Sequence, residues 1–179
     1  AYNKLGSIVV WQNVYKGTSN QLCTVHAISI GEIGQVPGEQ SQGVIKQIYF
    51  DNAPVLMDGA YITTEGIVPT SMMIEKYRKY LQIEVRFGKP SYGGSMTLAR
   101  QYGGSQWTDN MRGDGLVQIC TVIKKTNDSL IDGILTNQNY TLSVEMRGRM
   151  IYDLTDNVHK PSSNPPSQLY DFITNTEFG

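Results

Sequence analysis

"LQIEVRF", residues 81–87, decides the fold class. Leu81, Ile83, Val85 and Phe87 alternate with Gln82, Glu84 and Arg86, which predicts a strand with one buried and one wet face. Working outward, "GLVQICTVIK" (residues 115–124) is apolar almost throughout and reads as a central strand. "QLCTVHAISI" (residues 21–30) carries apolar residues on both faces in its second half, as a strand buried on two sides would. Tyr140, Leu142, Val144 and Met146 alternate again, and Met150 to Tyr152 extends or follows that strand. Ser7 to Trp11 supplies a short first strand, and "VIKQIYFDNAPV" (residues 44–55) a strand ending in an Asp-Asn turn. A further short strand is expected near Tyr61.

Helical signals are few. Thr70 to Lys79 suits either a brief helix or a bent connection, with Lys76, Arg78 and Lys79 on a solvated face. Near the C-terminus Asn164 is a suitable N-cap and Pro165 fits the first helical position, where its missing N–H costs nothing. Leu169, Phe172 and Ile173 then share one helix face. "GKPSYGGSMTLARQYGGSQW" (residues 88–107) reads as a long loop, and loops of that length are usually functional or ordered by a partner. Without internal repeats or a hinge-like linker, the expectation is one domain over residues 1–179. It is mainly β with one or two short helices, a β-rich α+β fold.

Composition narrows the function classes. The 179 residues are 40% apolar and 17% charged, with 18 glycines and 11 tyrosines, a globular and turn-rich balance. A net charge of −1 argues against a nucleic-acid footprint, which needs a basic face. No 18-residue apolar run and no polybasic cluster argues for membrane insertion or attachment. Cys23 and Cys120 sit in separate apolar runs, where buried free thiols are the commoner outcome, though a disulfide is left open. Asn127-Asp-Ser129 and Asn139-Tyr-Thr141 match the glycosylation pattern, which matters only in a secreted eukaryotic protein.

No spacing points to catalysis or to a cofactor. His26 falls mid-strand and His159 in a polar loop, and neither has a nucleophile and an acid at local spacing. Asp109, Asn110 and Asp114 gather in a turn that fails the alternating calcium-loop pattern, so no metal site is expected. The same turn holds Arg112-Gly113-Asp114, a tripeptide common by chance. A glycosidase pair of carboxylates cannot be placed from sequence, and no phosphate-binding glycine loop occurs.

Four stretches in order carry a resemblance. "AISIGEIGQV" holds Gly31, Glu32 and Ile33; "IKQIYFDNAPV" holds Tyr49, Asp51, Asn52 and Pro54; "DGLVQICTVI" is a strand after a glycine turn. "EMRGRMIYD" followed by "SSNPPSQLYDFITNTEFG" holds Tyr152, Asp153, Asn164, Pro165, Leu169 and Asp171. Together they resemble the central tail-tip proteins of long-tailed bacteriophages, the family of the lambda tip attachment protein J. Three places depart from that pattern: Ile30 stands where an acidic residue is usual, Asp153-Leu154-Thr155 where Asp-Pro-Arg is usual, and Pro166 where alanine is usual. The resemblance implies a non-enzymatic virion protein of the tail tip or baseplate hub, made in the bacterial host cytoplasm. It also implies a homotrimer bound to tail-tube and other tail-tip proteins, and a chain that is an N-terminal portion or divided form of a longer hub. Two other classes stand beside it. One is a receptor- or carbohydrate-binding β module using Trp107 and Tyr102 as stacking platforms. The other is a tail-associated hydrolase for which no residue pair can be named.

Overall fold

The computed structural model describes residues 1–16, 20–126 and 140–176. In chain order the strands are β1 (Tyr2–Gly6), β2 (Ile8–Lys16), β3 (Asn20–Ile30), β4 (Ile45–Phe50), β5 (Ala53–Pro54) and β6 (Gly66–Ile67). They continue as β7 (Leu81–Phe87), β8 (Leu116–Lys124), β9 (Leu142–Arg147), β10 (Met150–Asp153) and β11 (Val158–Pro161). The helices are α1 (Glu75–Arg78), α2 (Thr97–Gly103) and α3 (Pro165–Thr174). The strands form three antiparallel sheets: β2-β3-β8-β7-β6, β1-β9-β4-β5 and the pair β10-β11. The protein is thus mainly β with short helices, as the alternating patterns predict.

The expected central strand is central. β8 lies between β3 and β7, and Val117 through Ile123 are all buried. Its two faces enter two different cores. Val117, Ile119 and Ile123 join Leu81, Ile83, Val85 and Phe87 in the larger one, together with Ile45, Ile48, Val144 and Met146 of the second sheet. Cys120 and Val122 join Cys23, Val25, Met96, Leu98, Ala99 and Trp107 in the smaller one, under α2. A strand covered on both faces cannot alternate in polarity, which is why this one reads as a continuous apolar run.

Covering by α2 also changes the reading of β7. Glu84, assigned to a wet face, is only 5% exposed. Its carboxylate accepts the N–H groups of Thr97 (2.9 Å) and Leu98 (2.7 Å), two of the donors that the first turn of α2 cannot satisfy itself.

Other expectations shift in detail. The strand expected over Ser7 to Trp11 is β2, which runs on to Lys16; β1 precedes it, the chain passes from one sheet to the other at Ser7, and each strand forms a sheet edge. In β3 the two-sided burial covers Leu22 to His26 rather than the second half of the strand. The region near Tyr61 makes only an isolated bridge, Ile62 to Ile45. The stretch 88–107 is no open loop, since it contains α2 and the buried Trp107. Of the two readings for Met150 to Tyr152, the second holds: β10 follows β9 as a separate strand and pairs with β11. The Asp-Asn turn is as read: Asp51 (φ 47°) and Asn52 (φ 68°) form the two-residue loop between Phe50 and Ala53, in the left-handed region that such hairpins need.

Candidate functional site

Gly31, Glu32, Ile33, Asp153, Asn164 and Asp171 converge on one place. Gly31 donates its N–H to Gly115 O (2.7 Å) and Ile33 to Phe87 O (2.8 Å), so this segment is stitched to the ends of β7 and β8. On its other side Glu32 O accepts from Met150 N (2.7 Å), and Ile33 bridges Arg149. The Arg149 side chain lies across Gly31. A Cβ there would come within 2.5 Å of Arg149 Nε, and φ is +89°, so space and conformation both select glycine. From that position the Arg149 guanidinium reaches Asp171 of α3 at 3.7 Å.

Asp153 joins the other half of the cluster. It is buried, and its carboxylate accepts the Ser162 hydroxyl and the Thr155 N–H (2.8 Å), with Lys160 at 3.6 Å. The hydrogen bonds come first and the lysine later in lowering this acid, which is held down at about 2. Next to it Leu154 N–H donates to Ser167 Oγ (3.0 Å) on α3, and Asn164 Nδ2 donates to Thr155 Oγ1 (2.8 Å). The unusual Asp153-Leu154-Thr155 run is therefore the stretch that straps α3 onto β10. Asn164 has the extended backbone of an N-cap and Pro165 follows at the first turn, but the Asn164 side chain serves Thr155 instead of capping the helix.

α3 is docked by its polar side. Ser167 is buried, Gln168 Nε2 donates to Ser162 O (3.1 Å), and Asp171 faces Arg149. The shared apolar face points outward: Leu169, Phe172 and Ile173 are 59%, 63% and 70% exposed. The 3.6-residue period was legible, but period alone does not say which side of a helix meets the protein.

A second group of motif residues sits apart on the β4–β5 hairpin. Tyr49 OH donates to Glu145 Oε2 (3.0 Å), and Asp51 Oδ1 accepts from Thr141 N (2.8 Å) and Thr141 Oγ1 (3.0 Å). Asn52 Oδ1 accepts from Lys4 (3.1 Å), and Pro54 pairs with Tyr49. These contacts set the turn and its register.

The remaining candidates are placed as follows. Trp107 is buried against Trp11 at 5.1 Å, and Tyr102 is half-buried against Tyr15 at 5.6 Å, so the expected Trp107–Tyr102 sugar platform is not on the surface. His26 is enclosed, with Nδ1 3.1 Å from Ser7 Oγ and Nε2 3.1 Å from Tyr140 OH. Burial pushes its pKa down to about 4 and that of Tyr140 up to about 12. Cys23 and Cys120 meet at 3.7 Å as free thiols, and their contact together with burial raises Cys120 well above the ordinary thiol range. Asp109 pairs with Arg100, and Arg112 with Asp114, which closes the Arg-Gly-Asp turn on itself. No group of three or more potential metal ligands occurs among the described residues. Asn127 and Asn139 lie outside them.

Beside the motif cluster runs an open groove of about 540 Å³ between α3 and the β10–β11 pair. Tyr152, His159, Tyr170, Asp171, Thr174 and Asn175 line it. Sequence reading took His159 for a loop histidine. Only the pairing of β11 with β10 sets it opposite Tyr152, with the rings 5.6 Å apart. Among the described residues no helix is long and apolar enough to cross a membrane. No protein-family model and no curated protein matches the chain.

Proposed function

We propose that this chain is a structural component of a bacteriophage tail tip or baseplate hub. In this reading it closes the distal end of the tail tube as a homotrimer and links tube proteins to receptor-binding parts. Its place is the virion, and it works by assembly without a catalytic step. The observation that carries the reading is the convergence of the motif residues. Gly31, Glu32, Ile33, Asp153, Asn164 and Asp171 are spread from residue 31 to residue 171 yet lie in one connected cluster around Arg149 and the start of α3. Chance matches to short motifs have no reason to pack against one another.

Exposed apolar surface supports assembly. β2 is a nine-residue edge strand with Ile8, Val9 and Val10 at 73%, 50% and 50% exposure. Natural sheets usually protect such edges with charge, proline or a bulge; β2 has a register irregularity between Val9 and Trp11, yet all three side chains stay exposed. The outward face of α3 adds Leu169, Phe172 and Ile173. Apolar surface on this scale is what a subunit buries against its neighbours.

A nonsense codon in the gene provides the test, scored by electron microscopy of the particles made by cells carrying it. The reading expects tails that lack a finished tip and infectivity restored by the gene in trans. Normal, infectious tails without the protein would remove it.

A further inference from the structure

We propose that the groove between α3 and the β10–β11 pair is a binding site for a neutral saccharide. This goes beyond the assembly role and stands without it. The argument begins with the walls. Tyr152 and His159 are directly opposed on paired strands, their rings 5.6 Å apart at 60°, and Tyr170 stands across from them on α3, 46% exposed. Tyr152 is anchored by its hydroxyl, which donates to Asn157 Oδ1 (3.0 Å), so its ring is held in place before any ligand arrives. Three aromatic rings around a groove offer flat apolar faces, which match the C–H faces of pyranose rings.

The rest of the lining is polar and suited to hydroxyl groups. Asp171 contributes a carboxylate, which the Arg149 guanidinium approaches to 3.7 Å. A carboxylate has two oxygens and accepts from a vicinal diol at both. The Thr174 hydroxyl donates to Tyr170 O (2.7 Å), which fixes its direction and leaves its oxygen as an acceptor toward the groove. Asn175 adds a polar side chain to the wall. Half the lining residues are aromatic and half polar, the mixture that orients a ligand having both kinds of surface.

Charge selects within the saccharides. The lining contains the carboxylate of Asp171 and no lysine or arginine. Phosphates, nucleic acids and acidic polysaccharides would meet that carboxylate, and the guanidinium beside it, Arg149, is already turned to Asp171. A neutral glycan loses nothing by that arrangement. The groove is open to solvent, and about 540 Å³ falls within the range of ordinary small-ligand sites. A segment of a longer chain can therefore lie in it.

This site is separate from the apolar stripe of α3. Tyr170 and Thr174 are four residues apart and share one flank, whereas Leu169, Phe172 and Ile173 share another. A neighbouring subunit on the stripe leaves the groove accessible.

Saturation-transfer NMR with a panel of neutral gluco-, galacto-, manno- and N-acetylglucosamine oligosaccharides tests the proposal, with oligogalacturonate as the acidic comparator. The expected result is weak, millimolar binding of at least one neutral oligosaccharide, with no transfer to oligogalacturonate. The double variant His159→Ala/Tyr170→Ala should weaken that binding by about tenfold or more, since two stacking faces are lost. Both side chains are exposed, so its melting curve should match the parent and separate lost binding from lost folding. Binding by no neutral member of the panel, binding that survives the double variant, or a preference for oligogalacturonate would each overturn the assignment. None of these outcomes bears on tail assembly.

Discussion

His26 offers a prediction with a calculable size. The ring is buried between Ser7 and Tyr140, both nitrogens are within hydrogen-bond distance of hydroxyl groups, and desolvation lowers its pKa from 6.5 to about 4. In the unfolded chain the ring takes up a proton as pH falls through 6.5, while the folded protein stays neutral until about 4. Stability contributed by the neutral ring is therefore complete above pH 6.5 and is lost as pH falls toward 4. Between those values each pH unit removes about 1.4 kcal/mol, so the step from 6.5 to 5 costs about 2 kcal/mol and the full window about 3 kcal/mol. Glu65, Glu145 and Asp153 have lowered pKa values and also lose stability in acid, but only below their unfolded values of 4.5, 4.5 and 3.8. The interval from pH 6.5 to 5 thus isolates the histidine. Urea unfolding followed by circular dichroism at pH 7, 6 and 5 should show the decline in the parent. Comparison with His26→Gln should show the variant flatter by about 2 kcal/mol across the interval. Equal slopes in the two proteins would refute the enclosed, neutral ring.

Three further outcomes are expected. Glu84→Ala leaves the Thr97 and Leu98 N–H groups without their acceptor in a buried position and should cost about 3 kcal/mol in urea unfolding; a loss below about 0.5 kcal/mol would mean that the carboxylate does not anchor α2. Trp107→Ala empties the core under α2 and should cost about 3–5 kcal/mol, which thermal melting would detect as a clear drop; an unchanged midpoint would return Trp107 to the surface as a platform. Phe172→Ser/Ile173→Ser changes two exposed side chains, so the fold should lose less than about 0.5 kcal/mol. Chemical cross-linking should nevertheless show the trimer gone, and a trimer that survives the double change would exclude this face of α3 from the interface.

Strands were readable wherever one face is wet and one dry, and β7 and β9 show why: period two survives when burial is one-sided. β8 was readable for the opposite reason, because two-sided burial erases the alternation. Glu84 marks the limit. Its polar identity fits a wet face, and only the docking of α2 over that face turns it into a buried anchor. The same helix was hidden in residues 88–107, where flanking glycines look like loop and the short apolar run 96–99 carries too few turns to show a period. α3 was found from Asn164, Pro165 and its spacing, but the side by which it docks was not legible, since hydrogen bonds through Ser167 and Gln168 hold the polar side inward. The motif residues could be named from order along the chain. That Gly31 is needed to let Arg149 pass toward Asp171 depends on a contact between segments more than a hundred residues apart, which local pattern does not encode. The groove was invisible for the same reason: its rings come from β10, β11 and α3, and pairing register brings them together.

The central claim, that this is a trimeric part of a phage tail tip, is tested most directly by counting. Particles purified from cells carrying the gene can be analysed by mass spectrometry against isotope-labelled peptides of this chain and of a tail-tube protein. The account predicts that the chain is present in intact tails at three copies per particle. Its absence from purified particles, or a copy number that follows the many subunits of the tube, would contradict it.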